Sequence, residues 1–300
     1  MNITFSGTNT FLKECLVQAL ADESAETETM VFCGRETELG EALRNCSGRL
    51  IFLADAGESF SERKSLLNER YDEYETRFML SAEQSVHGIS EKGISEEFQP
   101  MNLPDNVILN RCCEIGGTGK SRAWLSAHIH GTNSLRYMSF GGSGKQVFDL
   151  LHIGDLVSLI REQLHAFQPG LYHVSGGLRA SVSLLELTAV CECATGNILK
   201  ITNDESRKEI PVFSLDISRL TEYFIWRPEY GVEEIIRDMI HAFGWNIIEW
   251  DGAEADDLIA AAAANFTDRK VLIVSSDKDI SQVIDERVEM LVPDHDGKGF

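Results

Sequence analysis

The chain has 300 residues, which is enough for one large domain or two modest ones with a sizeable apolar core. Its 27 basic and 48 acidic residues give a formal charge of −21, which argues against a broad binding surface for nucleic-acid backbones or anionic membranes. Hydrophobic residues make up 43% of the chain, as in ordinary globular proteins, and no apolar run reaches membrane-spanning length.

Cysteine spacing and the N-terminus bear on where the protein works. The seven cysteines form no C-x-x-C pair, so neither a zinc knuckle nor a disulfide framework is indicated. The N-terminus also lacks a charged segment followed by an apolar one. We therefore expect reduced thiols, a cytoplasmic location and no membrane partner.

Short apolar segments alternate with amphipathic segments in the first half of the chain. Period-2 or continuous apolar runs predict strands, and apolar residues three and four apart predict helices. This alternation predicts an α/β fold over residues 1–160, a doubly wound parallel sheet with helices on both faces. The predicted strands are 2–6, 29–33, 49–54, 106–110 and 135–138, and the predicted helices are 11–20, 38–46, 61–84 and 124–129.

The most informative stretch is 140–156, Phe-Gly-Gly-Ser-Gly-Lys-Gln-Val-Phe-Asp-Leu-Leu-His-Ile-Gly-Asp-Leu. Its glycines permit a tight turn, and Asp155 before an apolar helical pattern is a plausible helix start. By themselves Asp149 and His152 could be a polar hinge between a strand and a helix. The stretch resembles the signature G-x-G-x-Q-x-R-D-[FL]-[IL]-H-V-x-D-[LV] of extended short-chain dehydrogenases/reductases, specifically the nucleotide-sugar epimerase/dehydratase family.

That resemblance extends over most of residues 106–243 and implies a Rossmann-like fold with a small substrate lobe. It implies a nucleotide-sugar partner, with Gln146, Asp149 and His152 at the substrate site. Phe148 stands where the family commonly has an arginine, and this removes a bidentate phosphate donor. Further matching segments are 111–119, 170–177, 213–218 and 226–229, followed by a closing helix predicted at 232–243.

The first strand, glycine turn and helix resemble the opening of a dinucleotide-binding unit. On the family's G-x-x-G-x-x-G pattern Gly7 is retained, whereas Thr10 and Lys13 replace the second and third glycines. These replacements should weaken binding of NAD or NADP, although the Lys13 ammonium would attract a phosphate. Arg35, after the second strand, would suit the 2′-phosphate of NADP. The alternative for the first strand, turn and helix is a plain βα unit that binds no cofactor. The alternative for Arg35 is a solvated surface side chain.

The family's acid/base pair, Tyr-x-x-x-Lys, does not occur. None of the six tyrosines is followed by a lysine four residues later. A rival interpretation of 117–121, Gly-Thr-Gly-Lys-Ser, as a phosphate-binding loop needs a glycine where Glu114 stands. The Glu114 carboxylate would repel the phosphates, so an NTPase is disfavoured. Because Tyr-x-x-x-Lys is also absent, we predict no catalytic residues.

The pattern changes after Gly244. Residues 251–258, Asp-Gly-Ala-Glu-Ala-Asp-Asp-Leu, open an alanine-rich helix, and 270–279 form an apolar strand ending in Ser-Ser-Asp-Lys-Asp. In a purely structural interpretation, the carboxylates at the helix start stabilise the helix dipole and the others only mark the end of the strand. The segment resembles flap endonucleases and 5′-3′ exonucleases. That resemblance implies a partial PIN/FEN-like α/β nuclease segment that binds Mg²⁺ or Mn²⁺ through Glu254, Asp256, Asp277 and Asp279, with DNA as partner.

Together these features predict two units, residues 1–244 and 245–300, with 1–160 mainly cofactor-binding sheet and 161–244 mainly substrate lobe. Three hypotheses remain open. The first is an NAD(P)-dependent nucleotide-sugar epimerase/dehydratase homologue that is catalytically impaired. The second is a fragment of a metal-dependent 5′-nuclease, and the third is a non-catalytic nucleotide-sugar-binding protein. The sequence does not indicate an oligomeric state.

Overall fold

The computed structural model describes residues 2–55, 102–117, 135–138, 144–195, 201–204, 212–242, 244, 246–275 and 277–292. For 135–138, 201–204 and 212–213 only the backbone is described. The helices predicted at 61–84 and 124–129 lie outside these residues. No helix in the described part of the chain is both long enough and apolar enough to cross a membrane.

Five parallel strands form the main sheet. Strands and helices are numbered in chain order within the described residues. In spatial order the strands are β1 (Ile3–Ser6), β2 (Thr29–Gly34), β3 (Arg49–Asp55), β4 (Val107–Cys112) and β8 (Gly170–Val174).

Both faces of this sheet are covered, as the near-continuous apolar strands require. Alternate residues of each strand point to opposite faces. On one face Val31, Ile51 and Ile108 pack with helix α1 (Thr10–Ala19) and helix α3 (Ile153–His165). On the other face, the neighbouring residues of the same strands pack against helix α2 (Leu39–Asn45). These residues are Phe32, Leu50, Phe52, Val107 and Leu109.

The predicted parallel sheet with helices on both faces is confirmed. The strand order adds a feature that periodicity could not give. Strand β1 lies at the edge of the sheet and is paired with β2, and the order then follows the chain as far as β4. Consequently the carboxyl ends of β1 and β2 are neighbours, and the loops that follow them lie side by side.

A second layer surrounds β7 (Val147–His152). This strand is parallel to β5 (Glu114–Gly116) and β11 (Val212–Phe213), and antiparallel to β9 (Ser181–Ser183). Helices α4 (Leu184–Thr195) and α6 (Val232–Ala242) supply its core, through residues Leu187, Cys191, Ile235, Ile236, Met239 and Ile240, which pack with Leu150.

Smaller elements complete this part of the chain. Strands β6 (Leu135–Met138) and β10 (Ile201–Asp204) form a parallel pair. Helix α5 (Ser218–Tyr223) contributes Leu220 to the core on the α1 side of the main sheet. At the start of α4, Ser183 and Glu186 form a capping box, in which the serine hydroxyl accepts from the Glu186 N–H and the glutamate accepts from the Ser183 N–H.

The last described unit is small. Helix α7 (Ala255–Asn265) packs on the parallel pair β12 (Val271–Val274) and β13 (Val288–Leu291) and on a 3₁₀ turn, Asp279–Val283. Only four side chains are buried in its core, namely Ala263, Ile273, Ile280 and Val288. Leu272 and Val274 are exposed on the strand face away from this core. Parallel sheets normally bury both faces, whereas within the described residues only one face of this pair is covered.

One sequence expectation about element boundaries is wrong. Asp155 was expected to start helix α3, but the N-cap is His152, whose Nδ1 accepts from the Gly154 N–H at 3.0 Å. The side chain that satisfies the first helical N–H groups is therefore an imidazole. Histidine is not among the common N-cap residues, which is why the sequence pattern pointed to the aspartate.

Phe52 provides a test of the central sheet. It is fully buried and stacks on Phe32, with ring centroids 5.0 Å apart. We expect Phe52→Ala to lower the free energy of unfolding by about 3–5 kcal/mol, because the change removes buried area and leaves a cavity. Urea unfolding followed by far-UV circular dichroism measures this. Val17→Ala, on the exposed side of α1, should change stability by about 0.5 kcal/mol or less.

Candidate functional site

The end of β7 is held by His152. The imidazole is buried, and its Nε2 lies 3.0 Å from Asp238 Oδ2 on helix α6. Since Nδ1 accepts from Gly154, Nε2 carries the proton and donates to the carboxylate. The ring also stacks on Tyr230, with centroids 3.8 Å apart. Burial lowers the pKa of His152, while the hydrogen bond and charge of Asp238 act in the opposite direction.

Asp155 holds the segment that leads into α6. Its carboxylate accepts from the backbone N–H groups of Glu229 at 2.9 Å and Tyr230 at 3.3 Å. The Trp226 indole donates to the Asp155 carbonyl at 3.0 Å and to the Ser158 hydroxyl at 2.9 Å. Burial raises the pKa of Asp155, and the two backbone hydrogen bonds oppose that rise.

The three predicted substrate residues lie together on or beside β7, and all three are buried. Asp149 Oδ2 accepts from the Leu215 N–H at 2.8 Å, which joins β7 to the segment after β11. Gln146 is fully enclosed. Because His152 uses both ring nitrogens within the protein, the hinge interpretation is favoured for it. A substrate role for Gln146, Asp149 and His152 stays a prediction.

The loops after β1 and β2 are in direct contact. Gly7 has φ +120°, and a Cβ at this position would lie 2.1 Å from the Cys33 carbonyl oxygen. The Asn9 N–H donates to that oxygen at 3.0 Å, and the Asn9 side chain caps α1 by accepting from the Leu12 N–H at 3.1 Å. The glycine at position 7 therefore allows the ends of β1 and β2 to lie in close contact.

The other predicted cofactor residues surround this contact. Thr10 is exposed in the first turn of α1, Lys13 is half-buried one turn later, and Arg35 is exposed at the end of β2. The structure therefore brings Gly7, Thr10 and Arg35 to the same edge of the sheet. Whether any of them holds a cofactor stays a prediction.

Sequence reasoning missed two glutamates at this edge. Glu38 Oε2 accepts from the Thr8 hydroxyl and from the Arg35 N–H, each at 2.9 Å. Glu36 pairs with Arg111 at the end of β4, where Arg111 Nη2 lies 3.2 Å from Glu36 Oε2. The sequence signal was the Glu-x-Glu directly after Arg35, in the position where dinucleotide-binding folds use an acidic residue for ribose.

The four carboxylates predicted as metal ligands are not assembled into a site. Glu254, Asp277 and Asp279 are exposed and Asp256 is partly exposed. Asp256 Oδ1 accepts from the next backbone N–H, and Asp277 Oδ1 accepts from the Asp279 N–H at 3.0 Å. Within the described ranges no group of three or more histidine, cysteine, aspartate or glutamate side chains could hold an ion. Metal binding by these four carboxylates stays a prediction.

Comparison with known families finds a match in the C-terminal part. The family model "5′-3′ exonuclease, N-terminal resolvase-like domain" matches residues 232–298. DNA polymerase I of Rhizobium leguminosarum is 45% identical over 65 residues, which are 21% of this chain and 6% of the polymerase. The chain therefore resembles a 5′-3′ exonuclease over a partial domain.

The other matches are to nucleotide-sugar enzymes. CDP-paratose 2-epimerase of Salmonella typhi is 30% identical over 105 residues, 34% of this chain and 31% of the epimerase. UDP-glucose 4-epimerase of Bifidobacterium longum, solved with NAD⁺ and UDP, aligns with 81% of this chain and 95% of its own at TM-score 0.51 and 12% identity. RMD of Pseudomonas aeruginosa, solved with NADPH, aligns with 80% and 98% at TM-score 0.51 and 14% identity.

These matches confirm a Rossmann-like fold similar to that of the epimerases and dehydratases, and an exonuclease-like segment near the C-terminus. The chain spans about a third of the matched epimerase and a small part of the polymerase. The exonuclease match begins at residue 232, before the predicted boundary at Gly244. Helix α6 lies within that match, yet its side chains pack in the core around β7. The division into 1–244 and 245–300 stays a prediction.

The buried imidazole of His152 makes stability depend on pH. Its pKa in the folded protein is below that of the unfolded chain, so the unfolded chain binds more protons between the two values. The free energy of unfolding should therefore fall as pH is lowered through and below about 6.5. Urea unfolding at pH 7.5, 6.5 and 5.5 measures the slope.

His152→Asn isolates this effect, because asparagine can still cap α3 and does not titrate. We expect the variant to lose less stability on acidification than the wild type. His165→Asn removes an exposed imidazole that lies 3.3 Å from Glu23 Oε2, and it serves as the matched control. A His152→Asn protein with the unchanged pH dependence would contradict the prediction.

Proposed function

We propose that residues up to about 242 form an NAD(P)- and nucleotide-sugar-binding protein related to the epimerases and dehydratases, with little or no catalysis of its own. The observation that carries the proposal is the contact between the glycine turn after β1 and the glutamate-bearing turn after β2. It lies at the carboxyl edge of a parallel sheet, the edge outside which open α/β sheets bind ligands. A carboxylate acceptor at that place suits a ribose hydroxyl.

The residues at this edge would divide the binding as follows. Thr10, which is exposed at the start of α1, would face the pyrophosphate, with Lys13 one turn away as an attracting charge. Glu38 would accept from the ribose. When bound, NAD(P) supplies hydride transfer. The missing glycines at positions 10 and 13 would keep the pyrophosphate farther from the backbone, so we expect weak affinity.

The absence of the family's acid/base pair supports the proposed impairment. Hydride transfer to or from a sugar carbon needs an acid/base to move the hydroxyl proton, and Tyr-x-x-x-Lys is the family's pair for that step. None of the six tyrosines has the lysine partner. Tyr172 is buried and Tyr230 stacks on His152, so both side chains are packed against other parts of the protein.

Binding without turnover is the expected behaviour. Isothermal titration calorimetry with NAD⁺, NADP⁺, UDP-sugars and CDP-sugars should show binding, whereas epimerisation and dehydration assays should show no product above background. Lys13→Met should weaken dinucleotide binding roughly 2- to 5-fold, the size of an exposed charge contact. Lys145→Met removes an exposed lysine outside this edge and should leave dinucleotide binding unchanged. Clear turnover of a nucleotide sugar would contradict the impairment.

A second candidate function concerns the C-terminal segment and rests on the family match at residues 232–298. We propose that it is part of a Mg²⁺- or Mn²⁺-dependent 5′-nuclease, with DNA as the substrate of the complete domain. A two-metal site needs several carboxylates around both ions. The four candidates described here are dispersed or exposed. We therefore expect weak divalent-cation binding and negligible DNA cleavage by this chain.

Titration with Mn²⁺ tests the metal site. Binding followed by electron paramagnetic resonance should be weak in the wild type and weaker still in the double variant Asp277→Ala/Asp279→Ala. The double variant Asp22→Ala/Glu286→Ala removes two exposed charges outside the predicted ligands and should bind like the wild type. Identical binding by all three proteins would mean that the carboxylates only complete a strand end and a helix start.

A further inference from the structure

Helix α6 supplies much of the core around β7. Among the nine described residues buried in that core, four belong to α6, namely Ile235, Ile236, Met239 and Ile240. This core is separate from the two cores on the faces of the main sheet. An isolated helix of 11 residues is marginal in water, so α6 depends on its packing against β7. Detachment of α6 would therefore open one layer of the protein and leave the cores of the main sheet in place.

The polar contact between β7 and α6 requires a neutral imidazole at His152. Its Nδ1 accepts from the Gly154 N–H and its Nε2 donates to Asp238, each at 3.0 Å. A proton on Nδ1 would place two N–H donors face to face. The ring has little room to turn, since a Cβ at Gly117 would lie 2.6 Å from Nε2 and one at Gly154 would lie 2.9 Å from Nδ1. Water can therefore reach a protonated Nδ1 only when the cover of the ring, Tyr230 and α6, moves away.

The charges around His152 act in both directions. Burial has the largest influence and lowers the pKa of the imidazole, because the charged form would lose its water. The carboxylates of Asp238 and Glu234 on α6 and of Asp155 on α3 oppose that shift. Other titratable or charged groups on the neighbouring elements are Tyr230, Glu114 on β5, Arg179 beside Glu234, and His241 in the last turn of α6. Burial prevails, so the closed structure favours the neutral ring.

We propose that His152, through its contacts with Asp238 and Tyr230, is an acid-sensitive latch for helix α6. A proton taken from solvent onto Nδ1 removes the acceptor for the Gly154 N–H and places a charge in a buried site. In the open state water solvates the imidazolium and accepts from Nδ1. Opening therefore becomes more favourable as pH falls below the value at which an exposed histidine titrates, about 6.5. Global unfolding opens all three cores together, whereas the latch opens the core around β7 alone.

Release of α6 also affects the start of the exonuclease-like segment. After α6, Ile247 packs on the core around β7, and Glu249 pairs with Arg237 of α6 at 2.9 Å. The first contact depends on the core that α6 completes, and the second depends on α6 itself. The latch therefore makes the connection between the epimerase-like and exonuclease-like parts of the chain dependent on pH.

Amide hydrogen exchange of the intact chain at pH 7.5 and 5.5, at several low urea concentrations, tests the latch. Division of each rate by the intrinsic rate at that pH gives the opening equilibrium. For amides of residues 235–240 the opening should rise by up to about tenfold on acidification, as one proton binds to an exposed imidazole. At pH 5.5 it should exceed the opening of β2, β3 and β4 amides by at least about tenfold. It should also depend little on urea, because local opening exposes little surface.

Two variants separate His152 from the other histidine of α6. His152→Asn can still cap α3 and does not titrate. Its α6 should open more than that of the wild type at pH 7.5, because Asp238 loses its imidazole partner, and should change less than about twofold by pH 5.5. His241→Asn removes the exposed imidazole in the last turn of α6 and should keep the wild-type rise.

The wild-type data decide by themselves if a variant fails to fold. Equal opening of α6 and main-sheet amides at pH 5.5, with the same urea dependence, would show that α6 opens only by global unfolding and would overturn the latch. A rise that persists in His152→Asn would also overturn it, because another group would then take up the proton. An acid-induced local opening of α6 that disappears in His152→Asn and persists in His241→Asn supports it.

Discussion

The junction at the carboxyl end of β7 is the constraint on which the middle of the chain depends. His152 and Asp155 lie within one turn of each other, and between them they bind the N–H groups before α6, the carboxylate of Asp238 and the ring of Tyr230. A buried polar group is costly unless it is hydrogen-bonded, so these partners have to be in place together. The Trp226 indole completes the set by binding the first turn of α3. His152 and Asp155 of the family-like signature thus have partners within the protein, and a substrate role for Gln146, Asp149 and His152 stays a prediction.

The edge where β1 and β2 end combines features of a cofactor site with features that weaken one. Gly7 is required because its neighbour is the Cys33 carbonyl, and Gly34 is required because Glu38 folds over it. Both glycines are thus explained by contacts within the protein. Whether a dinucleotide binds at this edge stays a prediction.

Helix α6 joins the two resemblances. Its apolar face fills the core around β7, and Asp238 on the same helix holds His152. The exonuclease match nevertheless begins at its first residue. After α6, Ile247 still packs on that core and Glu249 pairs with Arg237 at 2.9 Å. Residues on both sides of the point where the sequence pattern changes therefore contact the same part of the structure, and the described unit that follows buries only a few side chains.

The sequence by itself determined the elements, because apolar periodicity and β-branched runs are local properties. It predicted the parallel sheet and the helices on both of its faces. The missing Tyr-x-x-x-Lys was also a property of sequence alone. Tertiary structure decided which side chains meet: that His152 rather than Asp155 caps α3, and that Glu38 reaches Thr8 across 30 residues. Strand order and the folding back of a side chain depend on contacts between distant segments, and no local pattern encodes them.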